Sequence, residues 1–247
     1  MKVAIITDVH GNAPALKAVL RVIDERDDID HIYCLGDMVG IGPDTNEVLD
    51  LLFSRNDLSM ITGNHDEAVL AIIKGEPHPD GHIHVKEHHE WIAERMNQTF
   101  ISKLEKLPRT IQHMINNYSF FFTHYHMEPN KLDEHISQNP FSKIVEPNLN
   151  NLERLFKNQF HHLIGFGHHH PIHHFRNDQT IYLNPGSLGC NSEPVAPYAI
   201  VSIEDSGIQV NLERVTYDNS LFLLSYKNLQ VPEHEFIIRA FHGNQRV

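Results

Sequence analysis

Leu58-Ser59-Met60-Ile61-Thr62-Gly63-Asn64-His65-Asp66-Glu67-Ala68 is the stretch whose reading decides the fold. An apolar run, Leu58 to Ile61, leads into Gly63-Asn64-His65-Asp66, and a segment of helical character, Glu67 to Lys74, follows. Open α/β sheets place their chemistry at such strand-to-helix turns. Asn64 brings a carbonyl oxygen and two amide protons, and His65 an imidazole, a set suited to holding a metal and moving a proton. Gly75 stops the helix as a C-terminal cap.

The same unit occurs twice upstream. Val3-Ala4-Ile5-Ile6 is continuously apolar and rich in β-branched residues, as a buried parallel strand requires. It runs into Asp8-Val9-His10-Gly11. Asn12 caps the helix that follows, Pro14 suits its first turn, and Leu16, Val19, Leu20 and Ile23 give it one buried face. Ile32-Tyr33-Cys34-Leu35 ends in Gly36-Asp37. A loop with Gly40, Gly42 and Pro43 then reaches Asp44, which with Glu47 reads as a capping box for a helix over Glu47 to Arg55. Three strand–turn–helix units in a row predict a parallel sheet with right-handed crossovers.

Downstream the pattern loosens. Glu76 to Leu107 holds an irregular loop and one helix carrying Trp91, Ile92 and Met96, a lid or cap beside the site edge. Arg109 to Ile115 and Tyr118 to Thr123 read as a hairpin that ends in His124-Tyr125-His126. Leu149 to Phe160 reads as a helix, and Leu163 to Phe166 as a strand ending in Gly167-His168-His169-His170. Thr180 to Leu183 is closed by Asn184-Pro185-Gly186-Ser187, read as a simple turn. A last hairpin spans Tyr198 to Ile203 and Ile208 to Thr216, and a closing helix lies within Pro232 to His242.

The 247 residues carry a formal net charge of -12, a poor basis for gripping nucleic-acid phosphates. Bound cations can still reverse the local field for a small anionic substrate. Cys34 and Cys190, the two cysteines, read as buried or idle thiols. The N-terminus turns polar too soon for a signal peptide or membrane span, which predicts a cytoplasmic protein. Of the 21 histidines, His82, His84, His88, His89, His161 and His162 read as a histidine-rich surface. His173 and His174 read as a solvated face, and His169 as a rim residue.

Five apolar runs each end in candidate ligands: Asp8 with His10, Asp37, Asn64 with His65, His124, and His168 with His170. In Asp8-Val9-His10 and His168-His169-His170 the outer residues point the same way if the backbone is extended. Oxygen and imidazole donors without thiolate suit manganese, iron, zinc, cobalt or nickel. They are too many for one ion and about right for two, ~3.5–4 Å apart with a carboxylate such as Asp37 between them.

Taken in order, Asp8-x-His10, Gly36-Asp37, Gly63-Asn64-His65-Asp66, His124 and Gly167-His168-x-His170 resemble the calcineurin-like metallophosphoesterases. The resemblance runs from residue 3 to about 216. It implies an α/β fold of two packed mixed β-sheets flanked by helices, a four-layer α/β/β/α sandwich, here one domain over 1–247 with a small helical cap at about 76–107. It implies that Asp8, His10 and His170 hold a first metal, that Asp37 bridges, and that Asn64, His124 and His168 complete a second site. A water or hydroxide between the metals would attack phosphorus, and His65 would protonate the leaving oxygen or clamp the phosphate.

Two departures stand out. The protein Ser/Thr phosphatases of this family carry Asp and Arg soon after the Gly-Asp block, the Asp orienting the catalytic histidine. This chain has Gly40-Ile41-Gly42 there, so it resembles the bacterial-type small phosphoesterases, and His65 needs another orienting group or works without one. The lone histidine is followed by Tyr125 and His126 instead of Gly, which leaves His126 as an alternative to His124. The expected activity is hydrolysis of a phosphomonoester, phosphodiester or phosphoanhydride such as a dinucleoside polyphosphate, with two metal ions, manganese first. The rival from another class is a non-catalytic binding or scaffold protein on the same fold.

Overall fold

The computed structural model describes residues 1–245, apart from the side chains of residues 82–84, so the surface reading of His82 and His84 lies outside the described residues. Two five-stranded sheets pack face to face. In the first, β1 (Lys2–Ile6), β2 (His31–Cys34) and β3 (Leu58–Met60) run parallel. The antiparallel pair β9 (Val195–Glu204) and β10 (Gly207–Thr216) extends it to the order β10-β9-β1-β2-β3. The second contains β4 (Thr110–Ile115), β5 (Tyr118–Thr123), β6 (Leu163–Gly165), β7 (His173–Arg176) and β8 (Ile181–Asn184) in the order β4-β5-β6-β8-β7. Here β5, β6 and β8 are parallel.

Strand alternation sorts the core into layers. Val3 and Ile5 face inward against Phe120 and Phe122 of the other sheet. Ala4 and Ile6 face outward onto helices α1 (Ala13–Asp24) and α2 (Thr45–Phe53). Phe121 points the other way, onto α6 (Leu149–Leu155). Each fully buried phenylalanine contributes roughly 1.5–3 kcal/mol of apolar transfer. Helices α3 (Asn64–Ile73), α4 (Lys86–Arg95), α5 (Gln98–Leu104), α7 (Ser220–Asn228) and α8 (His234–Phe241) complete the outer layer of the first sheet. The result is an α/β/β/α sandwich.

Several local expectations are corrected. Asp44 precedes α2 but makes no side-chain cap bond, and its own N–H is drawn to the Gly11 carbonyl at 3.0 Å. The helix predicted to Phe160 stops at Leu155, because Phe156 turns into the core beneath it. The single helix of the 76–107 segment is two: the chain leaves α4 at Met96, and Asn97 recaps α5 by accepting the Thr99 N–H. His88 and His89 are buried, at 2% and 0% exposure, since α4 packs on α3. His173 is buried as well, on the unpredicted edge strand β7, its ring 5.3 Å from that of Phe166. Asn12 caps α1 as read, accepting from Ala15 N–H.

Candidate functional site

The C-terminal ends of β1, β2, β3, β5 and β6 converge, and backbone hydrogen bonds stitch their turns together. Asp8 N–H donates to Gly36 O at 3.0 Å, and His10 N–H to Asp37 O at 2.9 Å. Gly167 N–H donates to His124 O at 2.8 Å. Asp66 ties the third turn to the second, accepting from Met38 and Val39 N–H at Oδ1 and from Gly63 N–H at Oδ2. Asn184-Pro185-Gly186-Ser187 is more than a turn. Ser187 Oγ donates to Asp8 O, Ser187 N–H to His170 O, and Asn184 Nδ2 to His169 O, buckling the first and last motifs to each other.

The alternation expected for Asp8-Val9-His10 and His168-His169-His170 does not hold. Asp8, His10, Asp37 and His168 have φ of 53°, 48°, 51° and 66°, the left-handed region that costs a non-glycine residue about 1–3 kcal/mol and clusters at functional sites. These tight curls, not extended backbone, turn the side chains inward. Gly167 lets two turns approach: a Cβ there would sit 2.0 Å from Thr7 Oγ1 and 2.6 Å from Asp8 Oδ2.

All seven expected ligand residues come together, in two overlapping groups. In one, His10 Nε2 and His170 Nε2 are 3.1 Å apart, with Asp8 Oδ1 3.7 and 3.9 Å from them. In the other, Asn64 Oδ1 lies 3.0 Å from His124 Nε2 and 2.7 Å from His168 Nδ1. Asp37 Oδ2 is 3.1 Å from His124 Nε2 and 3.8 Å from His10 Nε2, so it belongs to both. His10 and His124 donate Nδ1–H to the carbonyls of Val39 and Leu35, which presents Nε2 to the site. His126 turns away and bonds Ser142 Oγ.

The electrostatics fit cations. Asp8 and Asp37 are buried, and among the described residues their ion pairs are with histidines alone. Burial works against both charges, yet neighbouring histidines hold both carboxylates below their ordinary range. Burial also opposes charge on His124, but the Asp37 carboxylate beside it raises that ring to about 10. Burial and the repulsion of nearby imidazoles push His168 down to about 3 and His170 to about 4. Neutral His170 facing His10 at 3.1 Å puts two ring nitrogens where a proton or a metal ion must lie between them. Carboxylate, amide and imidazole donors, with no lysine or arginine among the described residues paired to the carboxylates, suit transition-metal ions.

Four neighbours escaped the sequence reading. Cys190 offers its sulfur to His10 and His170, their donor atoms all within 4.8 Å of one another. Burial raises its thiol well above the ordinary value and keeps it protonated. His89 bonds His65, Nε2 to Nδ1 at 2.8 Å, and His78 bonds His89 in turn at 2.8 Å. His88 stacks on Trp91, and burial lowers it to about 4. No local pattern marks these roles, because each depends on a contact between distant segments.

Residues 1–206 match the calcineurin-like phosphoesterase superfamily domain. An uncharacterized protein of Methanocaldococcus jannaschii is 28% identical over 229 residues, which covers 87% of this chain and 88% of that protein. The crystal structure of a metallophosphoesterase from Sphaerobacter thermophilus shares the fold with a TM-score of 0.70 and 23% identity, covering 97% of this chain and 98% of that one. A symmetrical bis(5'-nucleosyl)-tetraphosphatase of Buchnera aphidicola is 34% identical over 76 residues, only 30% of this chain and 28% of that protein. The chain belongs to the calcineurin-like phosphoesterase superfamily, and it is a metallophosphoesterase.

Proposed function

We propose that the protein hydrolyses a small phosphorylated substrate, a phosphomonoester, phosphodiester or phosphoanhydride, at a dinuclear metal centre. Asp8, His10 and His170 would hold one ion, Asn64, His124 and His168 the other, and Asp37 both. The single observation that carries this is the position of Asp37 Oδ2 within 3.8 Å of a nitrogen from each group. Two bound ions, manganese first and iron, zinc, nickel or cobalt after it, would supply Lewis acidity and lower the pKa of the attacking water.

The protein's own groups do the rest. The carbonyls of Leu35 and Val39 hold the Nδ1–H of His124 and His10, so Nε2 is the nitrogen each ring would turn toward a bound ion. His65 N–H is held by Asp37 Oδ1 at 2.8 Å. That bond places the imidazole at the site edge, 5.1 Å from the His10 ring, where it protonates the leaving oxygen. The chain is read as one domain whose 76–107 segment brings α4 to this edge. The partial likeness to a dinucleoside tetraphosphatase supports an anhydride as one candidate, and the net charge of -12 weighs against a nucleic-acid strand. Among the described residues no helix is long and apolar enough to cross a membrane, and the cytoplasm is the proposed location.

The test is turnover of aryl phosphate, bis-aryl phosphate and dinucleoside polyphosphate by metal-loaded protein, with chelator as control. Turnover abolished by the chelator and restored by manganese is expected. Loaded protein that stays inert on every ester and anhydride would refute the reading of this site as a dinuclear centre for such substrates.

A further inference from the structure

We propose that His89 is the positioning residue for His65, filling the place that the absent aspartate leaves. This rests on the reading of His65 as the acid. His89 Nε2 lies 2.8 Å from His65 Nδ1, with the two rings at 89° and their centroids 4.9 Å apart. His89 is 0% exposed, and its other nitrogen is taken by His78 Nε2 at 2.8 Å. The His65 ring is gripped from further sides. His10 meets it edge-on at 88°, and Gly40 backs it so closely that a Cβ would come within 2.7 Å of Nδ1. Gly40 thus leaves room for the His65 ring itself, and the imidazole partner of that ring arrives on α4.

The chemistry explains why an imidazole serves here. A carboxylate would add a further buried acid to Asp8, Asp37 and Asp66, whereas a neutral ring accepts a hydrogen bond without adding negative charge. If His89 Nε2 accepts from His65 Nδ1–H, then Nδ1 of His89 carries its proton and donates to His78. An acidic His65 donates from both ring nitrogens, so its Nδ1–H must be the donor to His89, and that direction keeps the proton on Nδ1 once Nε2 has lost its own. When the P–O bond breaks, its electron pair goes to the leaving oxygen, and the proton on His65 Nε2 moves to that oxygen. His65 ends neutral, its Nδ1–H still donated to His89.

The test compares His89→Phe, His89→Gln and His78→Ala with the parent, all metal-loaded and checked for metal content. Substrates run from nitrophenyl esters, whose leaving group needs no proton, to alkyl esters, which need one. His89→Phe should lose about ten- to hundredfold in kcat on alkyl esters and under about threefold on nitrophenyl esters, part of the usual worth of a general acid. Gln, whose amide oxygen can accept from Nδ1–H, should restore most of the loss. His78→Ala, at a half-buried position, should show the same pattern more weakly. An equal loss on all leaving groups, or no rescue by Gln, would overturn the proposal. Imidazole 15N NMR reads the tautomer independently of turnover: His65 protonated at Nδ1 in parent and Gln variant, mixed in the Phe variant, is the expected result. The same tautomer in all three would also overturn it. Inert parent protein would count against the proposed function, and the NMR result would still decide the role of His89.

Discussion

Replacing Asp66 by alanine should unlock the frame of the site before it touches any ligand. The Asp66 carboxylate is fully buried and accepts three backbone N–H groups, from Met38 and Val39 at 3.0 Å each and from Gly63 at 2.9 Å. Truncation leaves all three donors buried without a partner, at about 1–3 kcal/mol each. Part of that is offset, because burial and the nearby Asp37 charge already strain this group and raise its pKa to about 7. The net cost is then about 3–5 kcal/mol, or a Tm lower by roughly 6–20 °C for a chain of this size. Asp66→Asn keeps the Oδ1 bonds and loses the one from Gly63, so it should cost about 1–2 kcal/mol. Thermal and urea melts of metal-free protein followed by circular dichroism give these numbers without interference from metal loss. An alanine variant within about 0.5 kcal/mol of the parent would refute the reasoning, since Asp66 would then hold nothing.

Other outcomes follow from the same geometry. Between about pH 6.5 and 10 the His124 ring, raised to about 10 by Asp37 against the pull of burial, carries a proton that a metal must expel. Apparent metal affinity should therefore rise about tenfold per pH unit as pH increases, and calorimetry in buffers of different ionisation enthalpy should count that proton. Affinity flat across this range would contradict it. Gly167→Ala drives a Cβ against Thr7 and Asp8, and should weaken the first ion by about tenfold or more, as lost support of a ligand does. Equilibrium dialysis reads this directly. His124→Ala should lose one ion per chain while His126→Ala, facing Ser142, retains both; the reverse would exchange their roles.

Much of the sandwich was legible from residue patterns because its strands are continuous apolar runs. Val3 to Ile6 and Phe120 to Phe122 are buried on both faces, so composition alone marks them. β7 was not legible, since His173-His174-Phe175-Arg176 is an edge strand with exposed polar residues and no strong alternation of its own. Asp8, Asp37 and His168 were found by their position after strands, but their left-handed backbone was not, because Asp and His adopt positive φ more readily than most residues yet still do so only in a small minority of cases. His89 was read as part of a histidine-rich surface because it stands in a run of histidines with no apolar neighbour on either side. Only the packing of α4 on α3 shows which face of that helix lies inward.

The central claim is that Asp37 joins two metal ions. The most direct measurement is anomalous diffraction from crystals loaded with manganese. The account predicts two peaks within coordination distance of Asp37, one also bound by His10 and His170 and the other by Asn64, His124 and His168. A single peak, or ions lodged elsewhere while these seven side chains hold none, would contradict it.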